Sequence, residues 1–378
     1  MRLISATLLT FLAFTACVSQ KSKKVEAQTG TGGQAETAAQ PTAAATDQSP
    51  GTTVSSTSFS KLFRGNISGH AIEMKLRREG ESLSGTYAYD GKDQSLTLKG
   101  RIDSQGKLTL QEFDAKGKQT GRFDGQYSEQ SLEGPNAAID GKWLPSDGKD
   151  ESPVYLTEQP VEFTNSLQIV PKTIKEKRLG IRAVYPQLTG SNEQPIADFN
   201  KRVSSMIEKA VSDYRSDAAG AENHYYEADY NVLLATGDLI SVEINEDVFA
   251  DGAHPNAYHY ALTYDLRAGR EVSMESLFKQ GSDYKKVIRQ YSADNMNERI
   301  RKEYETDGKQ TDEGPRFSAE DSELESWNSW AMSRRGVFVY YHLPHVVAAL
   351  DRVFIPYSAL KDFIDPNGPA AAFANEKG

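Results

Sequence analysis

The spacing of apolar residues changes character near residue 158. From Ser58 to Glu158 apolar residues recur at every second position, as in ESLSGTYAYDG and KLTLQEFDAKGK, and most runs end near a glycine. A period of two places successive side chains on opposite faces of a strand. Residues 58–158 are therefore predicted to form an antiparallel β meander of about six to eight short strands, closed as a barrel or packed as a sandwich.

Residues 159–367 carry helix and strand patterns in turn. Apolar residues three or four positions apart predict helices from Pro195 to about Arg215 and from Ser282 to about Tyr304. Strand patterns surround the helices in HYYEADYNVLLAT, LISVEINEDVFA, AYHYALTYDL, GVFVYYHL and RVFIPY. We find no regular β–α–β alternation. The fold class is therefore predicted to be α+β, with a mixed domain of antiparallel sheet and helices after the β module.

The N-terminus has the pattern of a secretory signal. Arg2 precedes a short apolar run, Leu3 to Phe14, which is too short to span a bilayer as a permanent helix. The residues before Cys17 resemble the cleavage box of bacterial lipoproteins, although Phe14 stands where leucine is usual. This resemblance implies a signal peptide at residues 1–16, diacylation of the Cys17 thiol and acylation of the new amino group. A secreted protein with an unmodified cysteine is the alternative.

Residues 17–57 are rich in Thr, Ala, Gln, Ser and Gly and hold almost no bulky apolar residue. Such a segment cannot bury enough surface to offset its ordering entropy, so we expect a flexible linker behind the lipid anchor. Residues 368–378 are predicted to be a flexible tail. The anchor predicts attachment to the membrane of the cell envelope. Because Val18 follows the cysteine, this would be the outer membrane in a Gram-negative cell.

The charge distribution narrows the choice of partner. The net charge is −10, and the part from Gln159 onward holds 25 basic and 34 acidic residues. Nucleic acid is therefore not an expected partner, since phosphate binding needs a basic face. A cationic protein would be attracted to this part of the chain. The alternative is that the charge serves only solubility.

The stretch DGAHPNAYHYALTYDLRAGR, from Asp251 to Arg270, holds two of the six histidines. His254 and His259 are five residues apart, which would place them on opposite faces of a strand, and Pro255 disfavours a helix. They are not expected to share a metal ion. No nucleophile elbow or phosphate-binding loop occurs in the chain. No catalytic residue, metal or cofactor is therefore predicted, although a glycosidase-type pair of carboxylates stays open.

Alternating tyrosines in this stretch predict a binding face for protein or sugar. Tyr258, Tyr260 and Tyr264 would share one face of the strand, and tyrosine is frequent at binding surfaces. Leu262 on the same face supports the alternative, a side turned toward the core. The predicted binding residues are Asp251, His254, Asn256, Tyr258, Tyr260 and Tyr264.

Three segments carry a resemblance to a known family: AVYPQLTG, DGAHPNAYHYALTYDLRAGREVSMESLF and GVFVYYHLPHVVAALDRVFIPYSAL. Together they resemble the extracytoplasmic domain of RsiV-type anti-sigma factors, which sense lysozyme. A similar domain precedes the catalytic domain of PdaC-type peptidoglycan deacetylases. His345 stands where the family usually has tyrosine, and the Thr-Phe-Asp-Asp motif of the deacetylases does not occur in this chain. The β module resembles small lipocalin-like barrels of secreted bacterial proteins.

The resemblance implies a recognition domain of the cell envelope. We therefore expect a lipid-anchored, non-catalytic module that binds or senses lysozyme-type enzymes or a cell-wall component such as peptidoglycan. Two alternatives stay open at this point: an envelope enzyme that acts on glycan, or an accessory to one, and a structural scaffold of the envelope.

Overall fold

A computed structural model describes residues 58–375, except 93, 131–133, 164–165, 219–223, 251–253, 307–313 and 328. The predicted signal peptide, Cys17, the linker and Asp251 lie outside the described residues. All described residues belong to one compact unit, Pro50–Gly378. Within this part of the chain, no helix combines the length and the apolar character needed to span a membrane.

The first part of the described chain is a closed antiparallel barrel of eight strands, in which β1 pairs with β8. This decides between the predicted barrel and sandwich. The strands are β1 Ser58–Ile67, β2 His70–Glu79, β3 Ser82–Tyr89, β4 Ser95–Ile102, β5 Lys107–Phe113, β6 Gln119–Ser128, β7 Ala138–Pro145 and β8 Ser152–Glu158.

The period-two pattern fills the barrel interior. In β5, Leu108 and Leu110 are buried and their neighbours in the strand are exposed, as an alternating strand requires. Glu112 continues the inward series as a buried carboxylate. It accepts hydrogen bonds from Tyr87 Oη at 2.6 Å and from Trp143 Nε1 at 2.7 Å. The interior is therefore packed by side chains, and neighbouring donors satisfy the buried Glu112 carboxylate.

The remaining strands form two sheets, one of six strands in the order β14-β13-β12-β11-β10-β9 and one of three in the order β15-β16-β17. The strands are β9 Gln168–Glu176, β10 Ile181–Thr189, β11 His224–Ala235, β12 Leu239–Ala250, β13 Asn256–Asp265, β14 Arg270–Glu271, β15 Ser329–Met332, β16 Gly336–Tyr340 and β17 Arg352–Pro356. The helices are α1 Gln194–Asp217, α2 Tyr284–Thr306, α3 Tyr357–Leu360 and α4 Ala371–Ala374, with short 3₁₀ turns at Lys177–Leu179, Met274–Leu277, Ser322–Leu324 and His345–Leu350.

These elements stack in four layers. Helix α1 buries its apolar stripe, which includes Phe199 and Val203, on one face of the six-stranded sheet. The three-stranded sheet covers the other face, where Leu233 packs with Phe338 and Tyr340. Helix α2 packs on the far side of the three-stranded sheet. The central six-stranded sheet is thereby covered on both faces over much of its area.

The α+β fold class is confirmed, with one local difference from the expectation. Helix α1 connects β10 to β11, and these two strands pair in parallel over Ile181–Ala183 and Tyr226–Ala228. A single β–α–β connection therefore interrupts a sheet that is otherwise antiparallel. The parallel contact is short, so the apolar pattern of these strands did not distinguish it from an antiparallel one.

The barrel packs against the six-stranded sheet through polar contacts that follow β8. Gln159, which is 2% exposed, accepts a hydrogen bond from the backbone N–H of Val232 at 2.6 Å through its Oε1. Its Nε2 donates to Asn231 Oδ1 at 3.3 Å. Arg64 of β1 reaches Asp229 of β11 at 2.8 Å. These contacts position the barrel beside β11 and create the cavity described below.

Candidate functional site

Strand β13 places the predicted tyrosines in two different environments. Tyr258 and Tyr260 are exposed, at 37% and 42% of their surface. Tyr264 is buried and lies edge-on to Phe199 of helix α1, at 5.7 Å between ring centroids. Leu262 is buried in the same core. The predicted aromatic face therefore has a buried part and an exposed part, because helix α1 covers its C-terminal half and leaves the N-terminal half open.

His254 and Pro255, which precede β13, are exposed. The His254 side chain makes a contact of 2.9 Å from its Nδ1 to the backbone oxygen of Pro255. Asn256 begins the strand and is exposed. Asp251 lies outside the described residues, so its predicted place beside these side chains stays a prediction. Of the predicted binding residues, the structure brings together Asn256, Tyr258 and Tyr260 on one exposed strand end.

Acidic groups surround the exposed tyrosines, which we call the tyrosine pair (Tyr258 and Tyr260). Glu246 lies directly across from Tyr258 on β12 and is buried. It accepts a hydrogen bond from Tyr226 Oη at 2.6 Å. Burial raises the pKa of Glu246, although this hydrogen bond lowers it in part. Burial also raises the pKa of Tyr260, as do the negative charges of Glu246 and Asp213.

The opposite face of β13 lines a cavity between the barrel and the sheets. We call it the junction cavity; its volume is about 260 Å³. His259 faces it from the same strand that carries the tyrosine pair, as the alternation of side chains requires. The cavity wall includes Arg64, Tyr155, Asp229, Asn231, Glu243 and Asn245.

Arg64 is the most buried cation of the cavity wall on the barrel side, with its side chain 4% exposed. Its Nη2 donates to Asp229 at 2.8 Å and to Asp90 at 3.0 Å. The guanidinium stacks on the ring of Tyr230 at 4.3 Å. Its Nε and Nη1 are buried and have no hydrogen-bond partner among the described residues. One edge of this cation is thus satisfied by carboxylates, and the other edge is buried away from the cavity.

A second ion pair forms the wall on the sheet side. Arg352 of β17 holds Glu243 of β12 with two contacts, Nε to Oε1 at 2.9 Å and Nη2 to Oε2 at 3.3 Å. The same guanidinium stacks on Phe338 at 4.1 Å. The Nδ1–H of His259 donates to Asn245 Oδ1 at 2.7 Å, and the His259 ring stacks on Tyr340. These paired charges form a wall with fixed geometry.

Little in the sequence points to this cavity. Arg64 and Asp229 are 165 residues apart, and Arg352 and Glu243 are 109 apart. No motif spacing links residues at such distances. The one local signal is the alternation that puts His259 opposite the tyrosine pair. Among the described residues, no group of three or more His, Cys, Asp or Glu side chains could hold a metal ion.

The remaining histidines are spread over the structure. His224 begins β11, and His342 is an exposed residue after β16. His70 begins β2 and lies edge-on to Tyr89 at 6.4 Å between ring centroids. His345 begins a 3₁₀ turn. His70, His224 and His342 are not among the residues that line the junction cavity.

Comparisons with known proteins found similar solved structures but no similar sequence family. No protein-family model matches the chain, and no curated protein matches it. A solved member of the DUF3298 family from Bacteroides fragilis aligns with 57% of this chain and 99% of its own, at 17% identity and a TM-score of 0.35. A DUF3298 family protein from Pseudomonas aeruginosa aligns with 53% and 94%, at 14% identity and a TM-score of 0.36. Both solved proteins are DUF3298 family proteins, and neither is described as an RsiV-type or PdaC-type protein.

Proposed function

We propose that this chain is a lipid-anchored, non-catalytic module of the bacterial cell envelope that binds a cationic protein, with a lysozyme-type enzyme as the partner to test first. The observation that carries the proposal is the tyrosine pair, exposed at one strand end beside acidic side chains. The predicted signal, lipid anchor and RsiV-like resemblance agree with this function.

Tyrosine suits such a surface for a physical reason. It offers a large rigid contact area with a polar tip, and it loses little rotamer entropy on binding. Tyr258 and Tyr260 are two of the three large hydrophobic residues that stand exposed in the described part of the chain. The surplus of acid from Gln159 onward would attract a cationic partner. Aromatic contact area and charge of the right sign therefore coincide on one strand end.

The cavity charges favour binding over hydrolysis of glycan. A glycosidase needs one carboxylic acid and one carboxylate that are free to reach the scissile bond. Asp229 and Glu243 line the junction cavity, but each is held by an arginine; Glu158 also lines it and is paired with Lys61. The scaffold alternative predicts no saturable partner for the tyrosine pair, so the same titration tests it.

The experiment is a calorimetric titration of the full chain with a cationic lysozyme at physiological salt. We expect saturable one-to-one binding, weakened by Tyr260→Ala by about 2 kcal/mol, which is roughly thirtyfold in Kd, as for an aromatic hot spot. Tyr155→Ala is the matched control, because Tyr155 is 38% exposed but lies on the barrel. It should leave the affinity unchanged.

Two results would contradict the proposal. One is the absence of saturable heat. The other is binding that disappears with a modest increase in salt and responds equally to Tyr260→Ala and Tyr155→Ala, since that pattern indicates attraction of net charge without a defined surface.

A further inference from the structure

We propose that the junction cavity is a separate binding site for a neutral, polyhydroxylated ligand, namely a short saccharide. This site lies on the opposite face of β13 from the tyrosine pair and does not depend on the function proposed above. Three features of the cavity wall favour such a ligand: its charges are balanced, it keeps hydrogen-bonding groups that a ligand can reach, and it carries one exposed aromatic ring.

The charges of the wall are balanced by neighbours of opposite sign. Arg64 is held by Asp229 and Asp90, Asp90 also lies 3.9 Å from Arg182, and Arg352 is held by Glu243. Glu158, which also lines the cavity, is paired with Lys61 at 2.7 Å. Next to every wall charge that attracts a charged ligand lies a wall charge that repels it. Such a ligand would give up its hydration shell without gaining an unpaired counter-charge. The wall therefore favours a neutral ligand.

The hydrogen-bonding groups that remain match hydroxyls. The side chain of Asp229 is 40% exposed and offers acceptor oxygens to a ligand in the cavity. Asn231 and Asn245 use their side-chain oxygens for Gln159 and His259, which leaves amide N–H groups as donors. A hydroxyl both donates and accepts, so a ring that carries several hydroxyls can satisfy donors and acceptors placed side by side.

An aromatic ring completes the wall. Tyr155 of β8 lines the cavity and is 38% exposed, so one part of the ring is open to a ligand. A flat aromatic face can cover the apolar C–H face of a sugar ring. The cavity of about 260 Å³ is somewhat smaller than the roughly 300–1,000 Å³ typical of drug-sized ligands. The size therefore limits the enclosed part of the ligand to one or two rings.

The test is ligand-observed saturation-transfer NMR on the full chain, with the N-acetylglucosamine trimer and maltotriose as probes. We expect transfer to at least one trisaccharide, with a Kd of about 1 mM or below. A preference for the amino sugar would identify cell-wall-type glycan as the source, and a preference for maltotriose would identify a glucan. Both results support a saccharide site. Citrate serves as the anionic comparison and should give no transfer that depends on the cavity.

Variants decide whether the signal comes from the cavity. Tyr155→Ala should weaken saccharide binding by about tenfold through loss of the stacking face. Asp229→Asn should weaken it by at least about tenfold, because a charged acceptor is lost. Tyr258→Ala is the matched control, since Tyr258 is 37% exposed on the opposite face; it should bind saccharide as the unmodified chain does. If Asp229→Asn fails to fold, Tyr155→Ala still tests the site at an exposed position.

The proposal is overturned if neither trisaccharide gives transfer at about 10 mM. It is also overturned if Tyr155→Ala binds saccharide as tightly as the unmodified chain, or if citrate competes for the cavity more strongly than either sugar. Because Tyr155→Ala and Tyr258→Ala are each the control for the other site, failure here and failure of lysozyme binding can be told apart.

Discussion

At the scale of single residues, the buried carboxyl of Glu246 leads us to predict how the stability of the protein depends on pH. This carboxyl is 5% exposed and accepts a hydrogen bond from Tyr226. Burial raises its pKa above the ordinary value of 4.5, so its charged form costs stability at neutral pH. We expect Glu246→Gln to raise the unfolding temperature at neutral pH, because the amide oxygen can still accept from Tyr226. Thermal unfolding followed by circular dichroism at several pH values measures this.

The direction of the pH dependence is specific. As pH falls through the raised pKa of Glu246, the folded protein takes up a proton and the cost of the buried charge is relieved. The advantage of Glu246→Gln should therefore be largest at neutral pH and shrink on acidification. Glu73→Gln, at a half-buried position of β2, is the comparison. An advantage that grows on acidification would contradict this account of Glu246.

At the scale of elements, the closure of the barrel depends on Gly65. A Cβ atom at this position of β1 would lie 1.9 Å from the backbone oxygen of Tyr155 on β8. Backbone of the partner strand cannot move aside as a flexible side chain can, so the seam between β1 and β8 would have to shift. We expect Gly65→Ala to destabilise the protein by about 1–3 kcal/mol. Urea denaturation measures the change.

The matched control for the barrel seam is Gly80→Asn. Gly80 lies in the turn between β2 and β3 with φ of +59°, and an added Cβ would meet nothing within 4 Å. Asparagine tolerates this left-handed backbone, so the change should have little effect on stability. Equal destabilisation by the two substitutions would mean that general loss of glycine, and not closure of the barrel, sets the result.

At the scale of the whole molecule, Arg64 links the barrel to the six-stranded sheet. Its ion pair to Asp229 of β11 joins the two parts inside one compact unit, whereas its ion pair to Asp90 lies within the barrel. We expect calorimetry of the unmodified chain to give one cooperative transition for this unit. Arg64→Met should destabilise it by about 3 kcal/mol, the low end of the range for a broken buried pair, because Asp229 is partly exposed.

The control at this scale is Arg122→Met on the outer surface of the barrel. Arg122 is 52% exposed and pairs with Asp124, so its removal should cost only about 0–1 kcal/mol. Two separate transitions in the unmodified chain, with the fluorescence of Trp143 in β7 changing before the second, would contradict the expected coupling. The predicted division into domains at residue 158 would then describe two units that unfold independently.

The strands of the barrel were predictable because the pattern that specifies them lies within each strand. In β5 and its neighbours every second residue is apolar, and glycine marks most turns, so strands and their inward faces follow from the sequence. The long helices were equally predictable: α1 runs from Gln194 to Asp217, where a helix from Pro195 to about Arg215 was expected. Closure into a barrel and the parallel contact of β10 with β11 were not predictable, because both depend on which strands meet across the chain.

The sequence by itself therefore determined most of the strands, both long helices, the α+β class and the shared face of Tyr258 and Tyr260, since these follow from periodicity and side-chain alternation. Only the tertiary structure decided that Tyr264 is covered by helix α1 and that a cavity lies beyond His259. The physical reason is sequence separation. Arg64 meets Asp229 across 165 residues, and such a meeting is set by how whole sheets pack and not by any pattern within one strand.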